Sequence, residues 1–514
     1  MGLPELRGKA LIALILITSG FDFLLFGYDQ GLFGGILAGK RFQEMLGHPS
    51  ATMSGLVTAI YDIGCALGAV TAFIFGERVG RKRSILYANV IIIIGAAIQT
   101  ASYSYKQMFV ARIISGLGVG FSTVAVPILQ SETLPAHNRG SLLVFQSVLI
   151  PSGVALASWV CLGTLYAPGS MQWRFPVACQ ILFSLCILVF CLFCPETPRW
   201  LAKHGKEAEA RHIIARLLSK EDDDAEVQGQ LTEILNNIAA EGAESPVTWS
   251  ECFSNATKAR NLQRVLLGMG PYLFNQWSGA NVLGYYMGYI LETYLGYKPL
   301  LALILASVCF TQESIMAFSP YFFLDRLGRR KTVLISSIAC AICNFIIAGA
   351  LINKTYSSAA AAVAFMFVFF DCYGSGILPV SWCYSAEVQP LRVRNKSMAV
   401  GVFWHWMSNF VIVMITPIGV QNLGGNFFWI WGAFCASFVP LTYFFGVETA
   451  GRTLEEVDQM FFDNSRICMG LDKKHTQVVR TTAVKEEIRF RELAQAEQKA
   501  ITSSHVEKVA NPQV

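Results

Sequence analysis

Apolar runs of about 20 residues, separated by short charged or turn-forming stretches, recur along almost the whole of this 514-residue chain. A helix of that length crosses the ~30 Å hydrocarbon layer of a bilayer. In lipid, only helices and closed barrels satisfy their own backbone hydrogen bonds, and these runs lack the ~10-residue alternation of a membrane barrel. A content of 54% hydrophobic and 15% charged residues points the same way. The expected fold is therefore an all-α membrane protein. Its spans are expected near 11–37, 53–75, 84–102, 108–131, 141–163, 174–194, 263–293, 299–324, 332–352, 359–386, 397–421 and 426–446. The Gly- and Pro-rich seventh and tenth runs are candidates for broken helices. The first run is too long for the core of a signal peptide and has no small-residue cleavage site, so it is expected to be retained.

Twelve spans put both termini on one side, and the charges indicate which. The loops on the terminal side hold Arg78, Arg81, Lys82, Arg83, Arg139, Arg326, Arg329, Arg330, Lys331, Arg392, Arg394 and Lys396. The opposite loops hold half as many cations: Lys40, Arg41, Lys106, Arg174, Lys298 and Lys354. Positive loops stay inside, so both termini are expected in the cytoplasm. The plasma membrane is the expected location, though the charges do not distinguish it from an internal membrane. Residues 195–262 form the one long polar interruption and read as a cytoplasmic helical linker. It separates a six-helix bundle over 1–194 from another over 263–446. The tail from 447 is charged, with a helix expected near the membrane and disorder beyond.

Several functions are disfavoured by composition. The net charge of +5 is modest and its cations lie between apolar runs, so nucleic acid is not an expected partner. Two CxxC pairs, Cys191 with Cys194 and Cys340 with Cys343, lie in apolar sequence without further ligands and read as ordinary helix cysteines, with no metal expected. No phosphate-binding Gly-Lys-Ser/Thr loop is visible, nor any set of nucleophile, base and oxyanion donors. An enzyme is not expected, nor any cofactor.

The two halves repeat. Glu77-Arg78-Val79-Gly80-Arg81-Lys82-Arg83 recurs as Asp325-Arg326-Leu327-Gly328-Arg329-Arg330-Lys331, 248 residues on. Glu132 with Arg139 recurs as Glu387 with Arg394, and Glu196-Thr197 as Glu448-Thr449, at offsets of 255 and 252. A duplicated six-span unit is the architecture of transporters that rock two bundles about a central site.

These motifs resemble those of the sugar porter branch of the major facilitator superfamily. The resemblance includes Gly27-Tyr28-Asp29, Pro195-Glu196-Thr197-Pro198-Arg199-Trp200-Leu201, Gln276 to Asn281, Pro379 with Trp382, and Val447-Glu448-Thr449. It covers nearly the whole chain up to about Phe462 and has the tone of fungal members. It implies transport of a sugar or related polyol by alternating access, with lipid, solute and protons as partners and a functional monomer.

A sugar is uncharged and rich in hydroxyls, so its site needs amides that donate and accept, and flat aromatic faces. The candidates are Phe26 in the first span, Gln146 in the fifth, Asn275, Gln276 and Asn281 in the seventh, Trp382 in the tenth, and Trp406 with Asn409 in the eleventh. Of these, the resemblance carries over Gln276, Asn281, Trp382 and Asn409 as sugar-holding positions. Tyr285 and Tyr286 lie one turn beyond. Positions 275 and 276 cannot share one helix face, so reaching the cavity from both requires an unwound or broadly exposed helix. Asn275 stands where the family usually has Gln, Glu313 where it commonly has Asn, His405 where Asn or a small residue is commoner, and Ile377-Leu378 where Gly precedes Pro379. The resemblance therefore does not assign glucose.

Ionisable groups within spans are costly, at least ~2.5–3.5 kcal/mol each on insertion scales. Asp22, Asp29, Asp62, Arg112, Glu313, Asp371 and His405 must accordingly be paired, protonated or water-facing. Asp29 and Arg112 match the first-span acid and fourth-span arginine of proton-coupled sugar porters. The pair reads either as a proton-coupling site or as a permanent salt bridge joining two helices. Glu313 and His405 read as a second ionisable site, as ligands for an unusual polyol or acid, or as satisfied interior groups. The charges Glu77, Arg81, Glu132, Arg139, Glu196, Asp325, Arg329, Glu387, Arg394 and Glu448 read either as a latch on the cytoplasmic side or as topogenic charges alone. In the latch reading the four arginines among them clamp Glu132, Glu387, Glu196 and Glu448 when the inner side closes. Other functions remain open on the same scaffold: transport of a non-sugar solute such as a quinate-like acid or secondary metabolite, or a sensor that binds sugar without transport.

Overall fold

The computed structural model describes residues 6–37, 39–134, 139–243, 248–255, 259–353, 355–390, 392–452, 454–463 and 467–478. Every regular element among them is helical. Ten stretches are long and apolar enough to cross a membrane. One of them, Lys396–Phe445, takes in two helices, and the interrupted seventh span is not among the ten, so the described helices make twelve spans. The first six are Gly8–Ile36, Ala51–Val79, Arg81–Thr100, Tyr105–Thr133, Arg139–Thr164 and Met171–Phe193. The last six begin with Asn261–Trp277 continued by Ala280–Tyr289, then Pro299–Met316 continued by Pro320–Leu327, and Arg329–Asn353. They end with Tyr356–Cys372 continued by Leu378–Val388, Arg394–Leu423 and Phe427–Phe445. Between the halves lie the linker helices Pro198–Lys203, Glu207–Leu218, Ala225–Ala243 and Trp249–Cys252. A helix over Leu454–Asp463 follows the last span, and the tail from 479 lies outside the described residues.

Interruptions fall where the sequence changes the backbone's options. Gly279, at φ 90°, breaks the seventh span. The tenth span is expected to break but instead continues through a π turn at Tyr373–Ile377. Pro379 lies in the first turn of the helix that follows and has no N–H to offer the ladder. The eighth span, expected to be continuous, stops at Met316 and resumes at Pro320, which likewise cannot continue the ladder.

The halves meet along the second and eleventh spans, the first and seventh, and the fifth with the eighth and tenth. At the end away from the linker they are closed. A Cβ on Gly34 would stand 2.8 Å from the Tyr285 carbonyl oxygen, and Trp159 donates to Thr311 Oγ1 at 3.0 Å. On the linker side, the last linker helix touches both halves. Trp249 packs on Phe73 of the second span at 5.6 Å and under the Lys396 ammonium of the eleventh at 5.0 Å, while Arg392 bonds Glu251 at 2.6 Å.

The repeated charge motif builds the same network twice. Arg81 pairs with Glu77 at 3.1 Å and Glu132 at 3.0 Å, and Arg329 pairs with Asp325 at 2.6 Å and Glu387 at 3.0 Å. Thr197 and Thr449 each donate at 2.6 Å to the second oxygen of Glu132 and Glu387. Glu196 and Glu448 depart from the expected arginine clamp. They accept the free backbone N–H groups that open the third and ninth spans: Arg81 N and Arg329 N at 2.8 Å, with Lys82 N and Arg330 N at 3.2 Å. The partial positive charge of a helix N-terminus explains the preference, and contributes roughly 0.3–1 kcal/mol per contact. Arg394 donates to the Gln389 carbonyl at 3.4 Å, and the side chain of Arg139 lies outside the described residues. These pairs stay within one half, so they brace each bundle and do not themselves join the two.

Glycine is required where each network forms. Gly80 and Gly328 have φ 94° and 89°, and a Cβ on either would collide with the carboxylate of Glu196 or Glu448. Gly328→Ala is expected to cost roughly 1–3 kcal/mol and lower the Tm of the purified protein in detergent. Gly349→Ala, at a helical position with nothing within 4 Å, should not lower it. Equal Tm values for the two variants would show that the carboxylate contact is not structural.

Candidate functional site

A central cavity lies between the halves. The N-terminal half supplies Phe26 and Gln30 from the first span and Ile150, Pro151 and Val154 from the fifth. The other half supplies Asn275, Gln276, Asn281 and Tyr285 from the seventh span and Glu313 from the eighth. Tyr373 and Trp382 from the tenth and His405 from the eleventh complete its polar and aromatic wall.

The break in the seventh span makes this wall possible. Ser278 Oγ donates to the Asn275 carbonyl at 2.9 Å and accepts Ala280 N at 3.3 Å. Asn344 of the ninth span donates to the Ser278 carbonyl at 3.2 Å. The backbone groups freed by the break are thus satisfied within the protein, as lipid demands. Asn275 and Gln276 both reach the cavity. Asn275 donates to Ser381 Oγ at 3.1 Å, and the Gln276 amide lies 2.9 Å from His405 Nε2 and accepts from Asn281. Trp382 stands edge-on to Tyr272 at 5.2 Å and leaves part of its indole towards the cavity.

Three expected lining residues lie behind the wall. Gln146 is one helical turn nearer the linker than Ile150 and donates to Gln130 of the fourth span. Trp406 is fully buried, edge-on to Phe26 at 5.3 Å, because a helix turns ~100° between neighbours and His405 takes the cavity face. Asn409 is also fully buried and sits behind Tyr285, donating to its hydroxyl at 3.3 Å and to Asp62 Oδ1 at 3.0 Å. Tyr286 turns away from the cavity and donates to the Val413 carbonyl at 3.1 Å.

Asp29 and Arg112 are both fully buried and share no hydrogen bond, so no direct salt bridge joins the two helices. Tyr61 stands between them. Its hydroxyl donates to Asp29 Oδ2 at 3.3 Å, and its ring faces the Arg112 guanidinium at 4.4 Å, with Phe33 3.9 Å away. Arg112 spends one donor on the Thr58 carbonyl at 2.8 Å. Glu313 and His405 both line the cavity without forming a pair. Among the described residues no hydrogen bond reaches the Glu313 carboxyl. Asp371 takes the Gln312 amide at 2.6 Å, and Asp22 accepts Ser122 Oγ at 2.5 Å.

Gln30, Tyr61 and Tyr373 were not singled out by sequence. Gln30 follows Asp29 directly and Tyr61 precedes Asp62, so adjacency to an intramembrane acid was the available signal. Tyr373 had no such mark, because its place follows from the π turn it opens.

Comparison with known proteins agrees with the geometry. Residues 13–461 match the model of the family described as "Sugar (and other) transporter". The MFS-type transporter oryC of Aspergillus oryzae is 36% identical over 91% of this chain and 88% of its own length. The sugar transporter STL1 of Saccharomyces cerevisiae is 33% identical over 89% of this chain and 82% of its own. Among solved structures, the proton:xylose symporter XylE bound to 6-bromo-6-deoxy-D-glucose shares the fold, with a TM-score of 0.74. It is 22% identical and covered in full, against 88% of this chain. A twelve-span chain with duplicated charge networks around an amide-lined cavity, matched by this family over most of its length, belongs to the sugar (and other) transporter family.

Proposed function

We propose that the protein carries a sugar or related polyol through the membrane by alternating access, in symport with protons. One observation carries the reading. The cavity between the halves is lined by the amides of Asn275, Gln276 and Asn281 and by Trp382 and Tyr285, and it lies beside the buried Asp29 and Arg112. Amides offer donors and acceptors to hydroxyls, and aromatic faces cover the apolar C–H face of a sugar ring. The linker side, with both termini, is cytoplasmic in this reading, and one chain with both halves is the working unit.

Proton coupling follows from the position of Asp29. An unpaired carboxylate buried in low dielectric is unfavourable, so protonation favours the closed arrangement in which Tyr61 separates it from Arg112. Opening admits water, and the proton leaves. Solute in the cavity favours closure, so the two move together.

Transport of an anionic solute such as a quinate-like acid is a weaker reading. Among the described residues no lysine or arginine lines the cavity to balance an anionic solute. An anion entering it would lose its hydration without gaining a countercharge.

Uptake of labelled sugars and polyols in a host lacking its own carriers tests the reading. Gln276→Ala is expected to raise KM about tenfold, the equivalent of ~1.4 kcal/mol for its lost hydrogen bonds, at unchanged surface expression. A KM within error of wild type would place the solute elsewhere. Asp29→Asn is expected to abolish uncoupler-sensitive accumulation while sparing exchange of internal for external solute. Accumulation at the wild-type level in that variant would remove Asp29 from the coupling.

A further inference from the structure

Asp62 lies in the second span, one residue after Tyr61, and is 1% exposed. Its Oδ1 accepts the Asn409 amide of the other half at 3.0 Å, and the same amide nitrogen donates to the Tyr285 hydroxyl at 3.3 Å. Tyr285 lines the cavity. One amide therefore links the wall of the solute chamber to a buried acid across the boundary between the halves.

On the other side of Asp62 lies the charge cluster. Arg112 faces it from the fourth span, and Asp29 of the first span is joined to the same group through Tyr61. Tyr285 and Tyr286 face it from the seventh span, Asn409 from the eleventh, and Cys65 from its own helix. Asp29 Oδ1, Asp62 Oδ2, and Arg112 Nε and Nη1 are buried without a hydrogen-bonding partner. One guanidinium thus lies near two carboxyls without a hydrogen bond to either. With both ionised, a desolvated cluster would hold a net negative charge, and one bound proton makes it neutral.

We propose that Asp62 shares the transported proton with Asp29, and that Asn409 couples it to the solute through Tyr285. The balance is one proton taken up by the carboxyl pair from one side and the same proton released to the other, with no other bond made or broken. Solute seated against Tyr285 holds its hydroxyl and the Asn409 amide in place, which keeps the halves together around the protonated pair. When the halves part, Asp62 loses Asn409, and the pair exchanges its proton with water.

The inference rests on the symport reading, and the experiment separates the two. In proteoliposomes with an imposed proton gradient, wild type should accumulate labelled sugar and lose it with an uncoupler. Asp62→Asn should retain solute exchange, fail to accumulate, and show a flattened pH profile of exchange, because Asp29 and Arg112 then balance without a proton. Asp62→Glu should restore accumulation with a shifted pH profile, which a merely structural role would not require. Asn409→Ala should change the pH profile of exchange. Wild-type accumulation that collapses with uncoupler and persists in Asp62→Asn, with an unaltered pH profile, would overturn the role of Asp62 alone. Wild-type uptake indifferent to uncoupler would overturn the symport reading, and this inference with it.

Discussion

A backbone in hydrocarbon has no water to bond, so a spanning helix can open only where protein or an enclosed cavity supplies partners. In this chain that constraint decides where the site lies. Breaks or widened turns occur at Ser278–Gly279, Ala317–Ser319 and Tyr373–Ile377, all in the second half. Ser278, Asn344 and Ser336 satisfy groups these departures release, and Ser336 donates to the Cys372 carbonyl at 2.7 Å. The helix segments so freed turn Asn275, Gln276, Glu313 and Tyr373 towards one chamber.

The two halves consequently divide the work despite their repeated motifs. Both keep the same bracing at the linker side, with a glycine at positive φ, an arginine between two acids, and a glutamate on the next helix N-terminus. The first half keeps its helices continuous and buries Asp29, Asp62 and Arg112 behind the chamber. The second half provides most of the polar lining. Asn409 and Tyr285 are where these roles meet, since their hydrogen bonds reach from the chamber wall to an acid of the opposite half.

Much of this was legible in sequence because each part leaves a one-dimensional trace. Length and apolarity locate the spans, and the recurrence of Glu77 to Arg83 at Asp325 to Lys331 marks the duplication. Residue type, together with the resemblance to sugar porters, marks Gln276, Asn281 and Trp382 as suited to hydroxyls. What escaped was angular or depended on partners. Gln146 and Trp406 are of the right type, but helix rotation and neighbouring contacts turn one to Gln130 and the other beneath Phe26. Glu196 and Glu448 read as partners for arginine because free N–H groups at a helix start leave no mark in composition. Tyr61 intervenes between Asp29 and Arg112 through tertiary packing that no spacing announces.

Proton movement driven by sugar alone tests the account most directly. Purified protein would be sealed in liposomes containing a pH-sensitive dye, with no initial pH difference, and an inward gradient of a transported sugar imposed. The account predicts that the lumen acidifies as sugar enters and that the signal disappears in Asp29→Asn. Sugar entry at the same rate with a flat lumenal pH would contradict it.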